Sequence, residues 1–225
     1  MTLPQSSPAG PSRTGPPRAE HHGDALEGLP VRTPVEVLLL LASPEHHYFG
    51  RPRDGSPRPP SPALGRVDVV AGKGVVGDRF FGRAAHMDAA VTLMAVESLE
   101  QVAAGLDLAT GADALGGFDL RAPRRNVVLR GAPVDALVGR DLALDCREGG
   151  GDVVRLAGRR PAAPCAWMDQ VLAPGAHPAL RGRGGLRAVP TTSGALVVGR
   201  AELRTAEPVD PASAGTPVLR RGRLP

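Results

Sequence analysis

Residues 160–171, RPAAPCAWMDQV, place a cysteine directly after a proline and ahead of a helix-like run. Pro164 ends the preceding strand, so Cys165 falls at or near a helix start. Unpaired N–H groups and the helix dipole favour negative charge there and lower a thiol pKa. A thiolate so placed attacks electrophiles, carries sulfur or binds a soft metal. Asp169 follows one helical turn later, where a carboxylate caps, orients or accepts a proton. Trp167, the only tryptophan, either covers this site or packs into the core. The competing reading is a structural cysteine, buried as a small apolar side chain.

Two further segments carry chemistry. In RAPRRNVVLRG (121–131), Arg124, Arg125 and Asn126 stand just before a β-branched run. Two guanidiniums and an amide there clamp phosphate or carboxylate, or else merely solvate a strand end. In AGKGVVGDRFFGR (71–83), Gly72, Gly74 and Gly77 allow backbone shapes closed to other residues, and Asp78 and Arg79 follow directly. The glycine spacing matches neither a P-loop nor a dinucleotide fingerprint, so a tight turn between strands is the plain alternative. The histidines offer little. His21-His22 and His46-His47 are adjacent pairs, no Cys/His spacing fits a zinc site, and His86 is the one near a candidate segment. Nothing around Cys146 resembles a redox motif.

These segments need a scaffold, and the pattern is that of short strands. VEVLLLL (35–41), RVDVVAG (66–72), AAVTLMA (89–95) and RNVVLRG (125–131) are β-branched and bounded by turn residues. DLALDC (141–146) and DVVRLAG (152–158) flank a Gly-Gly-Gly turn, which predicts a hairpin. A second hairpin is expected from LRAVP (186–190) and GALVVG (194–199) around Thr191, Thr192 and Ser193. Two helices are expected, over 95–106, where Val96, Leu99, Val102 and Leu106 recur at helical spacing, and over 165–173. Eight or so strands with few helices predict a mainly β fold, a closed or nearly closed barrel.

Residues 1–33 and 206–225 have the composition of disordered tails around a domain at 34–205, with a long proline-rich loop at 43–64 inside it. Aromatics are only 3% of the 225 residues, so the core must be Val, Leu and Ala. Lys73 is the only lysine, an Arg bias that GC-rich coding also produces. Net charge is +4 and the basic residues are not interleaved with stacking aromatics, which disfavours nucleic acid. The longest apolar run, Val37 to Ala42, is too short to span a bilayer, and the N-terminus lacks the apolar core of a signal peptide. Two cysteines form no disulfide framework. The expectation is a cytoplasmic protein whose thiol stays free.

The ordered set K-G-V-V-G-D-R (73–79), R-R-N (124–126), P-C (164–165), R-G-R-G-G (181–185) and G-x-L-x-V-G (194–199) resembles a MOSC domain. That module occurs at the C-terminus of molybdenum cofactor sulfurases and in stand-alone bacterial proteins. The similarity spans roughly 35–205. It implies a β-barrel-like fold, a molybdopterin-type molybdenum cofactor, and Cys165 as metal ligand or sulfur carrier. Carried over, Arg124, Arg125 and Asn126 would grip the pterin phosphate, and Gly74, Gly77, Asp78 and Arg79 would shape the pocket. It further implies reduction of N-hydroxylated small molecules or, alternatively, a non-catalytic carrier of cofactor or persulfide that delivers to a redox or desulfurase partner. The chain departs from full-length sulfurases in lacking room for a pyridoxal-phosphate domain, and Lys73 is a poor Schiff-base candidate, so pyridoxal phosphate is not expected.

Overall fold

Alternation of buried and exposed positions dictates the first element. In β1, Val31–Leu40, Val35 and Val37 face inward while Glu36 between them faces out. The computed structural model describes residues 25–46, 48, 51–52, 61–108 and 118–219. Seven strands close a barrel in the order β1, β10 (Gly199–Thr205), β6 (Asp141–Asp145), β7 (Val153–Pro161), β8 (Leu186–Pro190), β4 (Val91–Ala95) and β5 (Val127–Arg130), which returns to β1. The mainly β expectation is borne out. β4 and β5 are the one parallel pair in the barrel. Parallel neighbours need a crossover, and α1, Val96–Gly105, lies on it. A separate three-stranded sheet runs β3 (Gly74–Val75), β2 (Arg66–Val70), β9 (Gly194–Val197).

Val, Leu and Ala fill the barrel, as the composition demands: Val37, Leu93, Leu129, Leu144, Leu156 and Leu203 form one cluster. A second cluster joins α1 to the cysteine segment through Met94, Leu99, Val102, Phe118, Trp167 and Met168. Leu99 is fully buried there. Truncating such a leucine to alanine costs about 2–5 kcal/mol. Trp167 therefore serves the core, and it anchors the chain just past Cys165.

Three expectations change. β8 and β9 do not pair: β8 joins β7 and β4, whereas β9 joins β2. The turn between them splices barrel to small sheet, with Ser193 Oγ accepting the Ala71 N–H and Thr192 Oγ1 accepting the Arg155 N–H. The helix expected over 165–173 shrinks to one turn, α2, Met168–Val171: the Met168 N–H closes a tight turn onto Cys165 O ahead of it, and Pro174 disfavours helix at Ala173 behind it. The folded unit also outruns 34–205. Ala25 and Leu29 pack on Ala143 and Val153, Gln101 Nε2 donates to Ala214 O, and the Val218 N–H donates to Gly182 O. The remaining parts of the expected tails, and residues 47, 49–50 and 53–60 of the loop, lie outside the described residues. No helix among the described residues is long and apolar enough to cross a membrane.

Candidate functional site: an arginine-lined cleft beside Cys165

The turn after β3, the approach to β5 and the end of β7 meet at one end of the barrel. They bring Asp78, Arg79, Arg124, Arg125, Asn126 and Cys165 to the wall of a single cleft of about 240 Å³. Arg187 from β8 and Tyr48 from the long loop complete its chemistry. Four guanidiniums thus face one carboxylate among the described lining residues. A site of that balance selects anions.

Each arginine is set differently. Arg124 has φ +56, a left-handed conformation that non-glycine residues rarely adopt. Its guanidinium lies 5.0 Å from the Tyr48 ring centroid, and its buried Nε has no hydrogen-bond partner. Arg79 packs 4.2 Å over Phe80, donates from Nη1 to Glu45 O at 3.0 Å, and likewise leaves a buried Nε unpartnered. Arg125 is committed to the fold: Nε donates to Gly184 O at 2.9 Å, Nη1 to Pro123 O at 3.0 Å and Nη2 to Ala162 O at 3.0 Å. Burial, then the neighbouring charge of Arg187, pushes Arg125 down to about 10, so it remains a cation at neutral pH. Burial and the charge of Arg160 lower Arg187 too. Among the described residues the Arg187 guanidinium makes no hydrogen bond or ion pair, and the residue sits half-buried among like charges. An anion in the cleft would relieve that repulsion.

Asn126 holds the cleft together in place of lining it with free donors. Its Oδ1 accepts from the Thr92 N–H and from Thr92 Oγ1, both at 2.9 Å, and its Nδ2 donates to Leu41 O at 3.1 Å and Asp78 Oδ2 at 3.2 Å. Every donor and acceptor of the amide is used. Asp78 also accepts the Ser43 and Phe80 N–H groups, each at 3.0 Å, pinning the start of the long loop to the glycine turn. Of the glycines, Gly74 (φ +103) permits a close approach: a Cβ there would lie 2.5 Å from Ala90 O. Gly74 and Gly77 shape the turn without reaching the cleft wall.

Cys165 is an exposed free thiol at the mouth of this arrangement, whereas Cys146 is buried in the barrel core, where burial raises its pKa. With α2 only one turn long and starting at Met168, no long helix points its dipole at the sulfur. The polar surroundings come instead from side chains. Burial, then the proximity of Cys165, raises the Tyr48 pKa, and Cys165 partly opposes the burial that lowers Arg125, which places all three in one electrostatic neighbourhood. Asp169 does not join them: its Oδ1 accepts the His177 N–H at 2.8 Å, away from the cleft lining. Tyr48 stacks on Trp167 at 5.3 Å between ring centroids and donates its hydroxyl to Ala122 O. The chain's only tyrosine and only tryptophan therefore pack together beside its exposed thiol. That rarity was the available signal for Tyr48. For Arg187 it was a charged residue flanked by buried Leu186 and Ala188 within a strand.

No family description matches the chain, and no curated protein matches it. Among solved structures, the chain is similar to the YuaD protein from Bacillus subtilis, with a TM-score of 0.58 at 15% identity over 78% of this chain and 98% of that one. A second crystal structure, of a hypothetical protein, gives a TM-score of 0.48 at 15% identity over 77% of this chain and 68% of the other. The likeness to YuaD is one of fold.

Proposed function

We propose that this protein is a MOSC-type module that holds a molybdopterin-like cofactor, with the phosphate in the arginine cleft and Cys165 as a soft ligand to the metal. The observation that carries the reading is convergence: an exposed thiol and four guanidiniums, two with orphaned Nε donors, border one cleft. Among the described residues no three His, Cys, Asp or Glu side chains gather as a metal site. A dithiolene cofactor supplies its own sulfur ligands, so one protein thiol suffices. When bound, the molybdenum centre supplies two-electron oxygen-atom or sulfur chemistry. The chain's own residues do the rest. Arg79, Arg124 and Arg187 bind the anionic end, Arg125 fixes the segment that carries Cys165, and Tyr48 holds Arg124 in place. The class of reaction we favour is reduction of an N-hydroxylated small molecule, with electrons from a separate redox protein in the cytoplasm.

The test is elemental. Protein produced with a cofactor supply should carry molybdenum in near-stoichiometric amount, and Cys165→Ala and Arg187→Ala should each lower it. Metal-free wild-type protein, unchanged by either substitution, would overturn the reading.

The exposure of Cys165 also favours a second reading, a persulfide carrier. The Cys165 thiolate would attack the outer sulfur of a desulfurase persulfide and release the donor's thiolate. Mass spectrometry would then find about 32 Da, one sulfur, added on Cys165. Absence of that adduct counts against it.

A further inference from the structure

Next to the arginine cleft lies a second cavity of about 400 Å³. Ala163 and Pro164 line both, so the segment leading into Cys165 is their common wall. The one carboxylate among its described lining residues is Asp135, on the short turn Val134–Leu137. Asp135 is only 7% exposed, and its Oδ1 accepts the Gly185 N–H at 2.7 Å. Around it stand flat or apolar surfaces from Pro161, Pro164, Val218 and Leu219. Leu219, 78% exposed, leaves an apolar lip open to solvent. The wall is built rather than incidental. The Val218 N–H donates to Gly182 O at 2.7 Å, and Asp169 fixes the backbone of His177, another lining residue.

A carboxylate withdrawn from water into a cavity calls for N–H donors. A free cation suits it poorly, because Arg181 lines the same cavity and Arg125 and Arg183 already act on Asp135 electrostatically. A neutral ring with an adjacent ring N–H and amino group presents two parallel donors, as a guanidinium does, without the charge. Its flat faces match the prolines and Leu219. The cleft, at about 240 Å³, falls short of the roughly 300–1,000 Å³ that drug-sized ligands occupy. A larger ligand must therefore extend beyond it.

We propose that the Asp135 cavity binds the amidine-type N–H edge of a planar heterocycle of the pterin or purine kind. The identification of that ring as a pterin rests on the cofactor reading above; the donor-edge chemistry does not. The ring belongs either to the same molecule whose phosphate enters the arginine cleft or to a separate small molecule.

Pterin fluorescence titrations test this on the full chain. Wild-type protein should bind free pterin, and Asp135→Asn, which offers one acceptor where the carboxylate offers two, should weaken binding at least about tenfold. Arg32→Ala, whose side chain pairs with Glu202 outside both cavities, should leave free pterin unaffected. If ring and phosphate are one ligand, neopterin monophosphate should bind at least about tenfold more tightly than pterin, and Arg187→Ala should erase that gain. If they are separate, pterin and inorganic phosphate should bind together without competition and the monophosphate should gain nothing. Either pattern supports the Asp135 site. Failure of wild-type protein to bind pterin or guanosine would overturn the proposal. So would equal pterin affinity in an Asp135→Asn protein that melts cooperatively. Pterin binding without any molybdenum or phosphate binding would sink the cofactor reading while leaving this site standing.

Discussion

The side-chain amide of Asn126 donates to Asp78 Oδ2 at 3.2 Å, joining the glycine turn to the base of β5 across 48 residues of chain. The same amide nitrogen holds Leu41 O, and the same carboxylate oxygen takes the Ser43 N–H. One saturated amide thus sets the spacing of Arg79 and Arg124, which flank it on the two segments.

Asn126→Asp replaces the donor with an acceptor facing another carboxylate. We expect a loss of about 2–4 kcal/mol at neutral pH. The new acid has its folded pKa raised by Asp78, so its ionisation disfavours the fold. The loss should therefore shrink as pH falls through the carboxylate range. Denaturant melts at pH 7.5 and pH 4.5 check this; a pH-independent loss contradicts it.

Asp135 behaves in the same direction within the native chain. Burial pushes it from an ordinary value of 3.8 up to about 6, against the opposing influence of the Gly185 N–H and of Arg125 and Arg183. His177 and Arg181 line the cavity that it faces. Its folded pKa exceeds its unfolded one, so stability falls as pH rises between those values and is level above them. The size is about 3 kcal/mol. Asp135→Asn keeps an acceptor for Gly185 and should be the more stable protein at pH 7.5, with the difference gone only once pH falls below the ordinary value of 3.8.

Gly184 has no room for a side chain: a Cβ would lie 2.4 Å from Ala162 O, the carbonyl that also accepts from Arg125. Gly184→Ala must push the 161–165 segment aside. A loss of about 1–3 kcal/mol is expected. The rate of Cys165 alkylation by iodoacetamide should change with it, since the segment carrying the thiol moves. An unaltered rate in a folded variant would show that this contact does not position the sulfur.

The two thiols should separate cleanly by reagent. Cys165 alone should react in the native protein, and Cys146 should follow only in denaturant, because burial both hides it and raises its pKa. Simultaneous labelling would indicate that the barrel core opens on the labelling time scale.

Most of the strands could be read in the chain because their signal is local. Alternation marks Val67 and Val69 on β2, and runs of Val and Leu mark β4, β5 and β6. Partnership is not local. The Thr191–Ser193 turn looks the same whether its flanking strands pair with each other or diverge into two sheets. The choice is made by β4, β7 and β2, which compete for those edges.

The site divides in a similar way. Cys165, Arg79 and Arg124 were legible by type and neighbourhood. Arg125 and Asn126 were legible as polar groups near the site, but their commitment to Gly184, Ala162, Thr92 and Leu41 depends on segments far away in sequence. Asp169 was placed by helical spacing, and the helix that would have aimed it at the thiol is one turn long. Asp135 carried no signal, since nothing local says that a carboxylate after Val134 will be shut away from water.

β1 is zipped to β10, with Val31 opposite Thr205, so the barrel's first strand is sealed by its last. Synthesis must pass Thr205 before the ring can close, and until then β1 has β5 as its only barrel neighbour. Such distant pairing slows folding and leaves an unpaired strand edge in the waiting intermediate. The same adjacency brings the ends of the barrel sequence together in space. A short tether between them and a new opening in a surface turn elsewhere should preserve the ring, making a circular permutant a practical way to start synthesis from a different strand.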